Sequence, residues 1–163
     1  DASGAQFNAG KEMLDVDSVF AQFKKGVAKA VSADDVDTHY DLGIAYREMG
    51  LIDDAINEFR VAATGEKKAC LSFTMVGLCF MEKGEVALAI ESFGQALSVP
   101  NRLPREEVGL YYELGSAYEA VEQYGDALAF FERVYEYDPT FRDVADRVNR
   151  LRALYNEGAS GAV

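Results

Sequence analysis

A ten-residue pattern centred on glycine occurs three times in this chain and constrains its fold more than any other feature. The copies are residues 37–46 (DTHYDLGIAY), 71–80 (LSFTMVGLCF) and 109–118 (GLYYELGSAY). In each copy an aliphatic residue precedes the glycine, and an aromatic residue follows it three places later, around Gly43, Gly77 and Gly115. A pattern that recurs at such a step indicates a solenoid, in which each unit is one supersecondary element.

A second motif follows each copy of the first. It has the form Ala-x₃-Phe-x₂ followed by Ala or Val, and it begins at Ala55, Ala89 and Ala127. The step between units is 34 residues and then 38, and the four additional residues fall near Pro100 and Pro104. Because proline disfavours a helix interior, these residues predict a longer loop between intact helices.

Together the two motifs resemble the tetratricopeptide repeat (TPR), a hairpin of two helices. The resemblance covers about residues 36–139, and the sequence of residues 40–56 is similar to sequences in bacterial multi-repeat TPR proteins. It implies an all-α fold: a right-handed α-solenoid of three TPR hairpins. His39 stands where the family has a bulky aromatic residue, and Lys67 and Asn101 replace a terminal proline, but no core position is lost.

The three glycines predict a close approach between the two helices of each hairpin. Glycine costs roughly 1 kcal/mol in a helix interior, so we expect a small residue opposite each one, supplied by the alanine that begins the second motif. The aromatic residues of both motifs would then fill the space between stacked hairpins. Gly50 and Gly84 predict left-handed C-caps, whereas Glu122 takes that place in the third hairpin and predicts a different turn.

Helical periodicity extends beyond the repeats at both ends of the chain. Residues 17–31 resemble the second helix of a preceding half-repeat, and a last helix beginning at Thr140 would cap the solenoid. We expect about eight helices. The expected organisation is a flexible segment at 1–14, a half-repeat helix at 15–33, TPR 1 at 34–66, TPR 2 at 67–103, TPR 3 at 104–139, a capping helix at 140–157 and a flexible tail at 158–163.

The negative charge of the chain is concentrated in two blocks. The net charge is −12; residues 34–66 carry −7 and residues 100–139 carry −6, while residues 67–99 are neutral. These blocks would repel a phosphate backbone, so no nucleic-acid partner is expected. Solubility alone is the simpler explanation of the charge.

Membrane and disulfide chemistry are not expected either. No apolar run reaches the length of a membrane span, which predicts no membrane insertion. Cys70 and Cys79 lie nine residues apart in one predicted helix, roughly 13 Å along its axis, which is too far for a disulfide. Two reduced thiols favour a cytoplasmic location.

No catalytic, cofactor-binding or metal-binding arrangement is expected. His39 is the only histidine, and its place inside the repeat favours packing over catalysis. The pairs Asp34–Asp35 and Asp53–Asp54 stand at predicted helix starts, where carboxylates complement the helix dipole. Cysteines at this spacing make no zinc motif, so we predict a protein without enzymatic activity, cofactor or metal.

The resemblance implies that the first helix of each hairpin lines a concave groove that binds peptides or protein segments. The groove residues carried over are Asp37, Tyr40, Asp41, Ile44, Arg47 and Glu48 from TPR 1, Leu71, Thr74, Met75, Leu78, Met81 and Glu82 from TPR 2, and Gly109, Tyr112, Glu113, Ser116, Glu119 and Ala120 from TPR 3. The Lys, Asn and Arg of the family's carboxylate clamp are absent, because Tyr40, Ile44, Met75 and Glu113 stand at such positions.

The predicted groove has an apolar centre with two adaptable methionines, and its ends are acidic. These features predict a protein or peptide partner with apolar anchors and flanking Lys/Arg. An alternative is that the acids are only solvated and the apolar centre packs against an end of this chain.

The resemblance implies that the protein is a scaffold or adaptor. The bacterial TPR proteins with similar sequence include some that organise motility, pilus or polarity assemblies. Two alternatives stay open: a self-association module that uses the half-repeat helix, and a regulatory domain of a larger protein. The chain begins at Asp1 rather than Met, so we expect a piece of something longer.

Overall fold

The computed structural model describes residues 9–161, with side chains described for 15–158 and 161. Within that range the chain forms eight α-helices and no strand. The helices are α1 (Ala9–Ala30), α2 (Val36–Glu48), α3 (Ile52–Ala62), α4 (Ala69–Glu82), α5 (Val86–Ser98), α6 (Pro104–Ala120), α7 (Tyr124–Tyr137) and α8 (Val144–Ser160). The predicted all-α class and helix number are therefore confirmed. No helix in the described part of the chain is long and apolar enough to cross a membrane.

The helices belong to two compact units. The first ends at Asp35 and contains α1, and the second begins at Val36 and contains α2 to α8. In the first unit α1 starts at Ala9, so residues 9–14 of the segment predicted to be flexible are helical. The rest of that segment, residues 1–8, lies outside the described residues. The half-repeat role of α1 stays a prediction.

The second unit consists of three helical hairpins and a last helix. The hairpins are α2–α3, α4–α5 and α6–α7, and successive hairpins pack through α3 with α4 and through α5 with α6. The phenyl rings of Phe59, Phe93 and Phe131, one from each hairpin, are completely buried. The core thus follows the second motif of the sequence along the whole unit.

Each repeat glycine lies against a phenyl ring. A Cβ atom at Gly43 would lie 2.5 Å from Cε1 of Phe59, and one at Gly115 would lie 2.9 Å from the ring of Phe131; the second hairpin repeats this contact. Each glycine is therefore a point of close contact inside the hairpin, and the nearest atoms belong to the phenylalanine of the second motif. The phenylalanine of the second motif reaches across from the neighbouring helix, and only a hydrogen atom leaves room for its ring.

The turn inside the hairpin is the same in all three units. Gly50, Gly84 and Glu122 have φ angles of 78°, 74° and 59°. In the third turn the backbone N–H of Gln123 donates to the carbonyl of Tyr118 at 2.9 Å, and the equivalent amides of the first two turns make the same bond. The prediction of a different turn at Glu122 is therefore wrong: this glutamate is held in a left-handed conformation that L-residues rarely adopt.

The last helix begins later than predicted. Between α7 and α8 the Asp138 carboxylate accepts hydrogen bonds from the N–H of Thr140 at 2.9 Å and from its hydroxyl at 2.6 Å. This turn delays the start of α8 to Val144, whereas Thr140 was the predicted first residue. Three side chains of α8 are fully buried in the core that α7 contributes: Val144, Val148 and Leu151. The helix continues to Ser160, into the predicted flexible tail, of which residues 162–163 lie outside the described residues.

Candidate partner-binding groove

The predicted groove positions of the first two hairpins lie on neighbouring helices that a side-chain pair joins. Arg47 on α2 donates from Nε to Oε1 of Glu82 on α4 at 2.6 Å. Both residues are among the predicted groove positions, and 35 residues separate them. The structure therefore brings the α2 and α4 positions into one surface.

The apolar centre of this surface is shared with the repeat core. Ile44, Met75, Leu78 and Met81 are half-buried and pack against fully buried core residues. Leu71 is more accessible, with 38% of its surface exposed. A partner would therefore contact part of each side chain rather than enter a deep apolar pocket.

A lysine that the sequence did not single out lies at the start of the groove. The Nζ atom of Lys68 is 4.6 Å from the ring centroid of Tyr40 and 3.6 Å from Oδ1 of Asp37. The Tyr40 ring also meets the ring of Phe59 edge-on at 5.5 Å. Burial raises the pKa of Tyr40, and the charge of Asp41 adds to this. Tyr40 is therefore a neutral, half-buried residue whose ring lies beside the Lys68 ammonium group.

Tyr112 in the third hairpin is a core residue rather than a groove surface. It is 6% exposed, and its ring packs against Phe131 at 5.4 Å and Phe141 at 5.6 Å. Its hydroxyl donates a hydrogen bond to Oδ1 of Asp143 at 2.5 Å. Burial, and then this hydrogen bond, raise the pKa of Tyr112, while the same bond lowers the pKa of Asp143.

The two acids predicted on α6 are paired with arginines from the end of the chain. Arg142 donates from Nη1 to Oε1 of Glu113 at 2.8 Å. Arg147 donates from Nη1 to Oε2 of Glu119 at 2.6 Å, and Arg150 contacts the other oxygen of the same carboxylate. These carboxylates are 16% and 19% exposed, so the acidic charge predicted at this end of the groove is compensated within the chain.

The pairing of these arginines with Glu113 and Glu119 was not predicted from the sequence. Their pairing depends on how the last helix packs beside α6, and neither helix alone shows a pattern that indicates it. The remaining acids of the predicted groove, Asp41 and Glu48, are exposed, and no ion pair within residues 15–158 involves them. Uncompensated negative charge in the groove is thus concentrated on α2.

Two smaller groove positions are less available. The hydroxyl of Thr74 donates to the carbonyl of Cys70 at 2.8 Å, and Ser116 is half-buried on α6. Gly109 and Ala120 complete the α6 set, where Ala120 is exposed.

The residues considered for chemistry are placed in the packing of the hairpins. Nδ1 of His39 contacts Oε2 of Glu58, which joins α2 to α3. Cys70 and Cys79 are free and buried, and burial raises the pKa of Cys79 to about 11. Within the described residues, no group of three or more His, Cys, Asp or Glu is placed to hold a metal ion.

Comparison with known proteins matches the third hairpin to a known repeat family. Residues 108–141 match the family model described as tetratricopeptide repeat. Tetratricopeptide repeat protein 14 of mouse (Mus musculus) is 27% identical to this chain over 116 residues, which are 68% of this chain and 15% of that protein. The chain therefore spans only a small part of the length of this curated relative.

Solved structures share the fold. The first TPR domain of Spaghetti (RPAP3), bound to the HSP90 peptide SRMEEVD, superposes with a TM-score of 0.66 at 17% identity, covering 77% of this chain and 97% of that one. MamA superposes with a TM-score of 0.66 at 19% identity, covering 90% of this chain and 82% of that one. At these identities the likeness is one of fold.

Proposed function

We propose that this chain, which contains a tetratricopeptide-repeat match at residues 108–141 and shares the fold of TPR domains, is a non-catalytic scaffold that holds a segment of a partner protein against α2 and α4. One observation carries the proposal: Asp41 and Glu48, which are exposed and make no ion pair among residues 15–158, lie on the helix that Arg47 joins to the apolar positions of α4. The surface of α2 and α4 therefore places exposed negative charge next to half-buried apolar side chains.

The chemistry of this surface favours a segment with apolar anchors and flanking Lys or Arg. Met75, Leu78 and Leu71 provide apolar contact that can adapt to several side chains. Asp41 and Glu48 complement basic residues that flank those anchors. An amphipathic helix or an extended segment with this pattern would fit such a groove.

The proposed site is shorter than the one predicted from the sequence. Arg142 and Arg147 already occupy the carboxylates of Glu113 and Glu119, so a basic partner would have to displace them. The α6 positions are therefore assigned to packing of the last helix, and the proposed partner contacts are those of α2 and α4.

The setting of this function is also a proposal. The similarity of residues 40–56 to bacterial multi-repeat TPR proteins supports a role in a motility, pilus or polarity assembly. The two free, buried thiols support the cytoplasm as its compartment.

Selection of displayed peptides on the full chain tests the proposal. The expected result is enrichment of sequences with helically spaced apolar residues and flanking Lys or Arg. A parallel selection on the variant Asp41→Lys/Glu48→Lys should not enrich them, whereas the control Glu91→Lys/Glu136→Lys should. This control changes the net charge equally at exposed acids on α5 and α7. Enrichment of acidic peptides, or of the same peptides on all three proteins, would contradict the proposal.

A further inference from the structure

A second cleft lies away from the groove, where α6 begins and α7 ends. Its volume is about 250 Å³, and its lining includes Arg102, Pro104, Val108, Tyr111, Arg133 and Tyr137. None of these residues belongs to the predicted groove. The ring of Tyr137 is among the most accessible large side chains of the protein, with 62% of its surface exposed.

The longer loop between the second and third hairpins forms one wall of this cleft. Arg102 donates from Nη1 to the carbonyl of Val99 at 2.7 Å and also to the carbonyl of Leu97, at the end of α5. Its Nη2 donates to Oε2 of Glu107 on α6 at 3.3 Å. One guanidinium thus fixes the loop between two helices, so the four additional residues form a defined wall.

Arg133 supplies a positive charge to the cleft, and this charge contributes to lowering the pKa of Glu107. Its guanidinium lies 5.2 Å from the ring centroid of Tyr111 and 5.8 Å from that of Phe130. It forms no ion pair with a carboxylate among residues 15–158. The guanidinium also lies within hydrogen-bonding reach of the Tyr111 hydroxyl. Because a guanidinium has five N–H donors, an arginine held over two aromatic faces keeps others for a ligand and is already partly ordered.

The one carboxylate that lines the cleft is already engaged. Glu107 accepts a hydrogen bond from the Tyr111 hydroxyl at 2.5 Å and another from Arg102. The bond from Tyr111 is the main cause of its lowered pKa, so Glu107 stays ionised and its charge is offset by Arg102. Arg133 also contributes to lowering the pKa of Glu107 but makes no direct ion pair with it, so its guanidinium can still contact a carboxylate from outside.

We propose that this cleft binds a short segment of a partner protein that presents one apolar side chain against Val108 and Tyr137 and a single carboxylate on Arg133. The cavity is smaller than the roughly 300–1,000 Å³ typical of small-molecule sites, which favours a single side chain over a cofactor. A planar guanidinium binds a carboxylate through two parallel hydrogen bonds, which gives the site its charge preference.

This site is independent of the groove and takes a ligand of opposite charge. Binding there should be unchanged in Asp41→Lys/Glu48→Lys, so failure of one proposal is distinguishable from failure of the other. The proposal concerns a second surface on the third hairpin, set by the loop at residues 100–104.

The test uses two small probes on the full chain, N-acetylphenylalanine and its neutral amide, followed by NMR titration of backbone amides. The carboxylate should shift the signals of Val108, Tyr111, Arg133 and Tyr137 with millimolar affinity, as expected for roughly 15 non-hydrogen atoms. The neutral amide should bind about tenfold more weakly, because it lacks the charge-assisted bonds. Equal affinities, or shifts that avoid these residues, would overturn the proposal.

Variants locate the charge preference. Arg133→Gln should abolish the difference between carboxylate and amide, while Arg105→Gln, which removes an exposed arginine outside the cleft, should preserve it. Arg133→Lys keeps the charge without the planar fork and should reduce the preference by severalfold. If Arg133→Gln fails to fold, the carboxylate preference of Arg133→Lys tests the assignment instead. A preference unchanged in both Arg133 variants would overturn the assignment.

Discussion

Nη1 of Arg147 lies 2.6 Å from Oε2 of Glu119, and this contact ties the last helix of the chain to the first helix of the third hairpin. Arg142 ties the same helix to Glu113 through the turn that precedes α8. The chain thus supplies its own basic groups to the acids of α6. As a consequence, the acidity of the groove depends on residues far along the sequence.

The Glu119–Arg147 pair should contribute measurable stability, because both side chains are mostly buried, with 19% and 24% exposure. A double-mutant cycle with Glu119→Ala and Arg147→Ala should give a coupling energy of about 1 kcal/mol or more, at the top of the range for surface pairs. The exposed Glu132–Arg152 pair, at 2.9 Å, is the matched control and should give less than about 0.5 kcal/mol. Equal coupling in the two cycles by urea denaturation would contradict this reading.

Glu122→Gly should stabilise the protein. Glu122 has a φ of 59° in a turn that is otherwise built with glycine, and the left-handed conformation costs an L-residue roughly 1 kcal/mol. The greater freedom of glycine in the unfolded chain offsets part of this cost. The net gain in the free energy of unfolding should therefore be about 0.5–1 kcal/mol. Gly84→Ala, at the equivalent position, should lose a similar amount. Loss of stability in Glu122→Gly would show that its side chain contributes more than the strain costs.

Ser72→Ala should also stabilise the protein. Ser72 is completely buried, and its hydroxyl finds no hydrogen-bond partner in the described structure. Removing it relieves a desolvation cost of about 1–3 kcal/mol. Ser92 is the control, because it is similarly buried but donates to the carbonyl of Leu88 at 2.8 Å. Ser92→Ala should be neutral or destabilising, and the opposite order of the two variants in thermal unfolding would contradict the prediction.

Cys79 should be unreactive in the native state. It is completely buried, and its pKa is raised from 9.0 to about 11, so about one thiol in a thousand is ionised near pH 8. A thiol reagent should label it only through unfolding, at a rate that rises with denaturant. Rapid labelling in native buffer would contradict this.

The same pKa shift has a consequence for stability. Because the folded protein keeps a proton that the unfolded chain loses above its pKa of 9.0, the contribution of Cys79 is fully present below that pH and declines as the pH rises towards 11. In denaturation experiments Cys79→Ala should remove this part of the alkaline loss. An unchanged alkaline slope would assign the loss to other groups.

The hairpins could be predicted because their signals are local. The spacing of Gly43, Gly77 and Gly115 with the aromatic residues of both motifs specifies two helices per unit, and periodicity alone indicates the flanking helices. These features follow from which side chains share a helix face.

The features that the sequence did not predict depend on reach and packing. A glycine inside a helix predicts that another group packs closely against it, but it does not say which one. At Gly43 the nearest atoms belong to the ring of Phe59. Likewise Glu122 lies where the turn forces a left-handed residue, because the surrounding backbone hydrogen bonds outweigh its strain. The arginines that cover Glu119 become neighbours only when α8 packs beside the third hairpin.

The most direct test of the proposed function is the affinity of one Lys-flanked, Leu-anchored helical peptide for the full chain, measured by fluorescence anisotropy at low and at high salt. The proposal predicts that Asp41→Lys/Glu48→Lys weakens binding about tenfold or more at low salt, since two exposed ion pairs contribute up to about 1 kcal/mol each. The effect should shrink at high salt, and Glu91→Lys/Glu136→Lys should bind like the wild type. Binding that is equal in all three proteins, or absent from the wild type, would contradict a basic partner on α2 and α4.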